Sequence, residues 1–151
     1  MRLGAIDIGS NAARLLITDV IAGVRDEPEF IKVVLVRVPL RLGFDVFDTG
    51  TISPTRAEKV VKTIRSYQLL LDVYDVRHVK ACATSAMRDA ANGPEILRRV
   101  KNDTGVDIQI ISGQEEASLI YENHVAEHMT GDASYLYIDV GGGSTELTFF
   151  S

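Results

Sequence analysis

The chain has 151 residues, 46% apolar and 25% charged, the ordinary make-up of a folded globular protein, with a net charge of −5. That balance excludes a general nucleic-acid surface, although a few arginines and backbone N–H groups can still hold a phosphate. There is no apolar run long enough for a membrane helix, the acid at Asp7 comes too early for a secretory apolar stretch, and the single Cys82 lies in an apolar run as a buried thiol, so a cytoplasmic protein is expected.

In chain order, the pattern predicts strands over Leu3 to Ile8 and Ala12 to Val20, joined at a Gly-Ser-Asn turn. A third strand follows over Phe30 to Val38, after a hairpin loop at Gly23-Val24-Arg25-Asp26-Glu27-Pro28. Ser53-Pro54 opens a helix, serine as N-cap and proline first, whose apolar stripe runs from Ala57 through Val60, Val61, Ile64 and Leu71 to Tyr74. His78 to Ala83 is a short buried strand, Pro94 to Lys101 a helix closed at Thr104-Gly105, and Val106 to Ile111 another strand. Ser112-Gly113-Gln114-Glu115 is a capping box for a helix through about His128. Gly131-Asp132 breaks it, and Tyr135 to Val140 is again strand. Strand then alternates with helix, so an α/β sheet with helices on its faces is expected.

One segment occurs twice. Ile6-Asp7-Ile8-Gly9-Ser10-Asn11-Ala12-Ala13-Arg14-Leu15-Leu16-Ile17 aligns without gaps onto Ile138-Asp139-Val140-Gly141-Gly142-Gly143-Ser144-Thr145-Glu146-Leu147-Thr148-Phe149. The separation is about one domain length. The organisation expected is therefore a first domain over 1–130 and the opening strands of a duplicated second domain over 131–151, with its remainder absent.

A strand ending in Asp, a glycine turn and a returning strand make a distinct device. Glycine lets backbone approach a phosphate, and successive N–H groups in such a turn form an anion nest. The candidate phosphate donors are Gly9, Ser10 and Asn11 in the first loop and Gly141, Gly142, Gly143 and Ser144 in the second. Asp7 and Asp139 are poor phosphate ligands but suit Mg²⁺ or its waters. A Walker loop is excluded, because Gly-Lys-Ser and Gly-Lys-Thr are absent.

Four segments in order resemble the exopolyphosphatase and guanosine pentaphosphate phosphohydrolase (Ppx/GppA) family. They are Ala5-Ile6-Asp7-Ile8-Gly9-Ser10-Asn11 with Arg14-Leu15-Leu16, Ala83-Thr84-Ser85-Ala86-Met87-Arg88-Asp89-Ala90-Ala91-Asn92, Ile111-Ser112-Gly113-Gln114-Glu115-Glu116-Ala117, and Asp139-Val140-Gly141-Gly142-Gly143-Ser144-Thr145-Glu146-Leu147. The resemblance implies an actin-like, ribonuclease H-like α/β domain, the first of two around a cleft. It implies Mg²⁺-dependent hydrolysis of the terminal phosphoanhydride bond of polyphosphate, of guanosine pentaphosphate (pppGpp), or of both. It places the catalytic base on Glu116, gives Glu146 a part in positioning water or metal, and makes Arg88 a phosphate contact. Helix geometry agrees with separating the two acids: Glu115 can close the capping box, whereas Glu116 points about 100° away.

The chain departs from the family at Ala12, where a hydroxyl residue is usual, and at Phe44, where a polar residue is more common. His124 and His128 stand four apart on one helix but lack the carboxylate of a zinc motif, and Lys59, Lys62 and Arg65 read as a solvated basic face. The alternatives are a kinase or ATPase of the same superfamily and a module that binds (p)ppGpp without cutting it. No nucleic-acid or membrane partner is expected, a homodimer through the second half stays open, and the fragment alone is expected to be inactive.

Overall fold

The computed structural model describes residues 1–23, 28–120, 134–140 and 145–150. A five-stranded sheet in the order β3-β2-β1-β4-β5 organises the first 120 residues. Its strands are β1 (Arg2–Ile8), β2 (Ala12–Ala22), β3 (Pro28–Pro39), β4 (His78–Ala83) and the short β5 (Gln109–Ile110). β1, β2 and β3 run antiparallel as consecutive hairpins, while β4 and β5 continue the sheet parallel to β1. The α/β class expected from the alternating pattern is the one observed.

One sheet face carries the core. Ile6 and Ile8 of β1, Ala13, Leu15 and Ile17 of β2, and Ala81 and Ala83 of β4 are buried together. They meet the apolar stripe of α2 (Pro54–Val73), in which Val60, Val61, Ile64, Tyr67 and Leu71 are buried. Beside it lies α4 (Gly93–Thr104), contributing Ile96, Leu97 and Val100. Each large side chain so buried contributes about 1.5–3 kcal/mol before chain entropy is charged. Tyr67 is the largest, and its hydroxyl donates to the Ala13 carbonyl at 2.9 Å, so its polar tip is satisfied. Burial pushes that phenol up to about 12.

Helix α2 starts where Ser53 and Pro54 say it should, with Ser53 Oγ accepting from the Arg56 amide at 3.4 Å. Helix α4 ends at Gly105 in the left-handed region (φ 74), where the Gly105 amide bonds the Lys101 carbonyl. Two short helices went unpredicted, α1 (Gly43–Thr49) and α3 (Ser85–Asp89). Neither has a side-chain N-cap, and each is too short to show a helical period. β5 is shorter than the strand expected over Val106 to Ile111, because only Gln109 and Ile110 pair with β4.

The capping box is confirmed at α5 (Gly113–Ile120). The Glu115 amide donates to Ser112 Oγ at 3.2 Å, and Glu115 Oε2 accepts from the Ser112 amide at 2.8 Å. The course of that helix toward His128, including His124 and the other histidine, lies outside the described residues, as does most of the loop Gly23 to Pro28. A separate two-stranded ladder joins β6 (Tyr135–Val140) to β7 (Thr145–Phe150). Among the described residues no helix is long and apolar enough to cross a membrane.

Candidate active site

The second face of the sheet carries the candidate site. Along β1 the side chains alternate, so Ile6 and Ile8 enter the core while Asp7 stands on the opposite face. Directly across the antiparallel ladder is Arg14, and across the parallel ladder is Cys82. Arg14 Nη1 donates to Asp7 Oδ2 at 3.0 Å. Burial pushes the half-buried Asp7 carboxyl above its ordinary value, and the Arg14 charge and hydrogen bond pull it part of the way back. The Cys82 thiol is also pushed up, first by burial and then by the carboxylates of Asp7 and Glu116. Asp7, Cys82 and Glu116 therefore share one electrostatic neighbourhood.

Helix α5 delivers Glu116. It follows β5 through Ile111, whose amide bonds the Ala83 carbonyl at 3.0 Å, so the helix begins beside the end of β4. Glu115 is exposed and turned back onto Ser112, whose hydrogen bonds hold its carboxyl below the usual carboxylate range. Glu116 is half-buried. The structure thus separates the two acids as the helical angle requires: one caps, the other is half-buried with a carboxylate oxygen shielded from solvent.

The first glycine loop is held from below. The Gly9 amide closes the turn onto the Ala12 carbonyl at 3.0 Å, so it is already committed within the hairpin. The Leu40 and Arg41 amides both donate to the Asn11 carbonyl, and the Gly43 amide donates to the Ser10 carbonyl at 2.9 Å. Arg41 adopts a left-handed conformation (φ 55) to make its bond, a strained arrangement for a side-chain-bearing residue. Among the described residues no protein acceptor takes the Ser10 or Asn11 amide. Those two N–H groups are the loop's open donors.

Helix α3 supplies the third wall. Its Arg88 donates from Nη1 to the Ile111 carbonyl at 2.9 Å and approaches Asp89 at 3.7 Å, tying α3 to the start of α5. Ser85, at the first position of α3, lies 2.7 Å from Ser10, hydroxyl to hydroxyl. Sequence reasoning gave Ser85 no role, because nothing local marks which of several small polar residues will meet the loop. The pairing of Arg14 with Asp7 depends on the turn: closing the Gly9 amide onto the Ala12 carbonyl sets Ile8 opposite Ala13, where a plain three-residue turn would set it opposite Ala12.

In the second hairpin Asp139 stands directly opposite Glu146, in the same register as Asp7 and Arg14, and Val140 faces Thr145 as Ile8 faces Ala13. The two copies thus share a ladder but exchange an arginine for an acid. Gly141, Gly142, Gly143 and Ser144 lie outside the described residues. Among the described residues no three potential ligands form a ready-made metal centre. The donor chemistry at Asp7, a carboxylate on the open face of the sheet, suits a hard divalent cation.

The remaining signals are ordinary. Lys62 approaches Glu58 and Arg65 approaches Asp103, each at 3.7 Å, so these members of the basic face are paired. Phe44 is 69% exposed on α1 and lines a small hollow with Gly43, Phe47 and Asp48. Ala12 is buried.

Comparison with known proteins fits this geometry. The family model of the Ppx/GppA phosphatase family matches residues 20–151. The chain belongs to that family. It is 32% identical over 148 residues to exopolyphosphatase 1 of Mycobacterium tuberculosis, covering 98% of this chain and 42% of the relative. It is 34% identical to exopolyphosphatase 2 of the same organism, covering 97% and 47%. Among solved structures, an exopolyphosphatase from Cytophaga hutchinsonii superposes with a TM-score of 0.84 at 32% identity, over 99% of this chain and 46% of that one. The Aquifex aeolicus PPX-GPPA enzyme gives 0.82 at 34% identity, over 99% and 48%. The Ppx/GppA domain seen here thus spans less than half the length of these relatives.

Proposed function

We propose that the intact protein hydrolyses terminal phosphoanhydride bonds of polyphosphate, of pppGpp, or of both. The observation that carries this reading is the meeting of three motif segments: the Ser10 hydroxyl of the first glycine loop lies 2.7 Å from that of Ser85 on α3, and Arg88 of the same helix donates to the Ile111 carbonyl just before the helix that bears Glu116. Family membership supplies the reaction class, and the curated relatives are named for polyphosphate.

In this reading each candidate residue has a role. The Ser10 and Asn11 amides hold a phosphoryl oxygen, and the Arg88 guanidinium, anchored on the Ile111 carbonyl, adds its positive charge beside them. Glu116 takes a proton from water as its oxygen attacks the terminal phosphorus; the P–O–P bridge breaks and the shortened chain leaves with the bridging oxygen. Asp7, Asp139 and Glu146 would hold Mg²⁺, which neutralises phosphate charge when bound. Gly141, Gly142, Gly143 and Ser144 would form the facing phosphate loop. Arg14 keeps Asp7 ionised and in place until then. Catalysis in this scheme rests on positioning and charge.

The test is phosphate release by the intact protein from polyphosphate and from pppGpp, with Mg²⁺ and with excess EDTA. Mg²⁺-dependent release from at least one substrate is expected. Cleavage that yields adenosine diphosphate from ATP in preference to both would instead favour the ATPase alternative.

A further inference from the structure

The loop that carries the open amides is fixed along its backbone by bonds from Leu40, Arg41 and Gly43, and by the turn bond from Gly9. None of these involves α3. A side-chain link between the loop and α3 is the Ser10–Ser85 hydroxyl pair at 2.7 Å, with the residues only 6% and 5% exposed. Arg88 lies one helical turn along α3 from Ser85 and reaches the Ile111 carbonyl at 2.9 Å, next to the cap of the helix that bears Glu116. A continuous polar path therefore runs from loop to α3 to α5. Two hydroxyls sealed from water would each lose a partner if one were removed, and hydrogen bonds in such dry surroundings are directional as well as strong.

We propose that Ser85 is a positioning residue for phosphate binding, its hydroxyl locking the β1–β2 loop against α3 so that the Ser10 and Asn11 amides and Arg88 converge on one phosphoryl group. The proposal rests on the reading of this loop as a phosphate site. Loop and arginine sit on separate elements, and an oxyanion needs both sets of donors held to within a fraction of an ångström. The backbone bonds set where the loop lies over the sheet. The Thr84 amide, bonded to the Ile8 carbonyl at 3.0 Å, sets where α3 starts, and the hydroxyl pair ties the loop's tip to it. A loop released from Ser85 keeps its fold, since those backbone bonds remain, but presents its donors less accurately.

The experiment compares wild type, Ser85→Ala, Ser10→Ala, the double variant and Ser85→Thr in the intact protein. It reads the Kd for inorganic tripolyphosphate by titration calorimetry, kcat and KM on polyphosphate, and Tm. Ser85→Ala should raise Kd and KM about tenfold, the loss expected for one hydrogen-bonded contact, with kcat within about twofold. The double variant should be no worse than Ser10→Ala, because both substitutions remove the same link. Ser85→Thr, which keeps the hydroxyl, should recover most of the affinity. A Kd within about twofold of wild type in Ser85→Ala, even with a lowered Tm, would overturn the proposal, as would losses that multiply in the double variant. Should Ser85→Ala not fold, Ser10→Ala and Ser85→Thr still decide the matter by the same Kd. A wild type that binds tripolyphosphate without cutting polyphosphate would sink the proposed hydrolysis yet leave this comparison intact; one that does not bind it would overturn the positioning role too.

Discussion

Glu115 and Glu116 are adjacent in sequence, Glu115 exposed and bonded to Ser112, Glu116 half-buried. Glu115 caps α5 and its carboxyl is held low by Ser112, so its contribution to stability is present above the ordinary value of 4.5 and lost as pH falls through the lowered one. Glu115→Ala should therefore lower Tm at pH 7, with the difference from wild type fading in acid, while kcat and KM stay near wild type. Asp7 is the reverse case. Its carboxyl is raised by burial, so the folded state disfavours the ionised form and the cost is fully present above the raised value. Asp7→Asn should accordingly raise Tm at neutral pH while increasing the Mg²⁺ needed for half-maximal turnover about tenfold or more. A Tm that falls in Asp7→Asn at pH 7 would show that the Arg14 ion pair outweighs desolvation.

At the scale of elements, the site depends on how closely α3 and α4 approach. A Cβ on Gly93, the first residue of α4, would collide with the Met87 carbonyl oxygen on α3, which is backbone and cannot swing away. Gly93→Ala should cost about 2 kcal/mol in denaturant unfolding and displace Arg88 with its helix. The corner between α1 and α2 is set by Asp45, whose Oδ2 accepts from the Ser53 amide at 2.9 Å and which lies 3.4 Å from Arg56. Those contacts hold the Asp45 carboxyl low, so Asp45→Asn should lower Tm at pH 7 and match wild type once acid protonates both folded and unfolded carboxyls.

Strands and long helices were legible in the sequence because each repeats a simple period: β1, β2 and β4 were bounded to within two residues or better, and α2 declared both its cap and its stripe. The short helices α1 and α3 were not, since five to seven residues held by tertiary contacts show no period of their own. The same limit governs the site. Glu116 and the loops were marked by motif, and the capping box told the two acids apart. The Ser10–Ser85 pair and the Arg88–Ile111 bond join residues 75 and 23 apart in sequence, and only the packing of α3 onto the sheet brings them together.

For the whole molecule, the repeat gives two hairpins of one register, one opposing Asp7 to Arg14 and the other Asp139 to Glu146. If both loops must grip the phosphates, residues 1–151 alone should show no Mg²⁺-dependent phosphate release, and measurable turnover by this piece would remove the need for a second wall. Glu116 is proposed as the base for attack on a terminal phosphorus. Its most direct test is the rate of phosphate release from polyphosphate by the intact protein and its Glu116→Gln variant, with Kd for tripolyphosphate read alongside. The account predicts a fall in kcat of about 10²–10⁴-fold with Kd little changed. Turnover retained within about tenfold would contradict it.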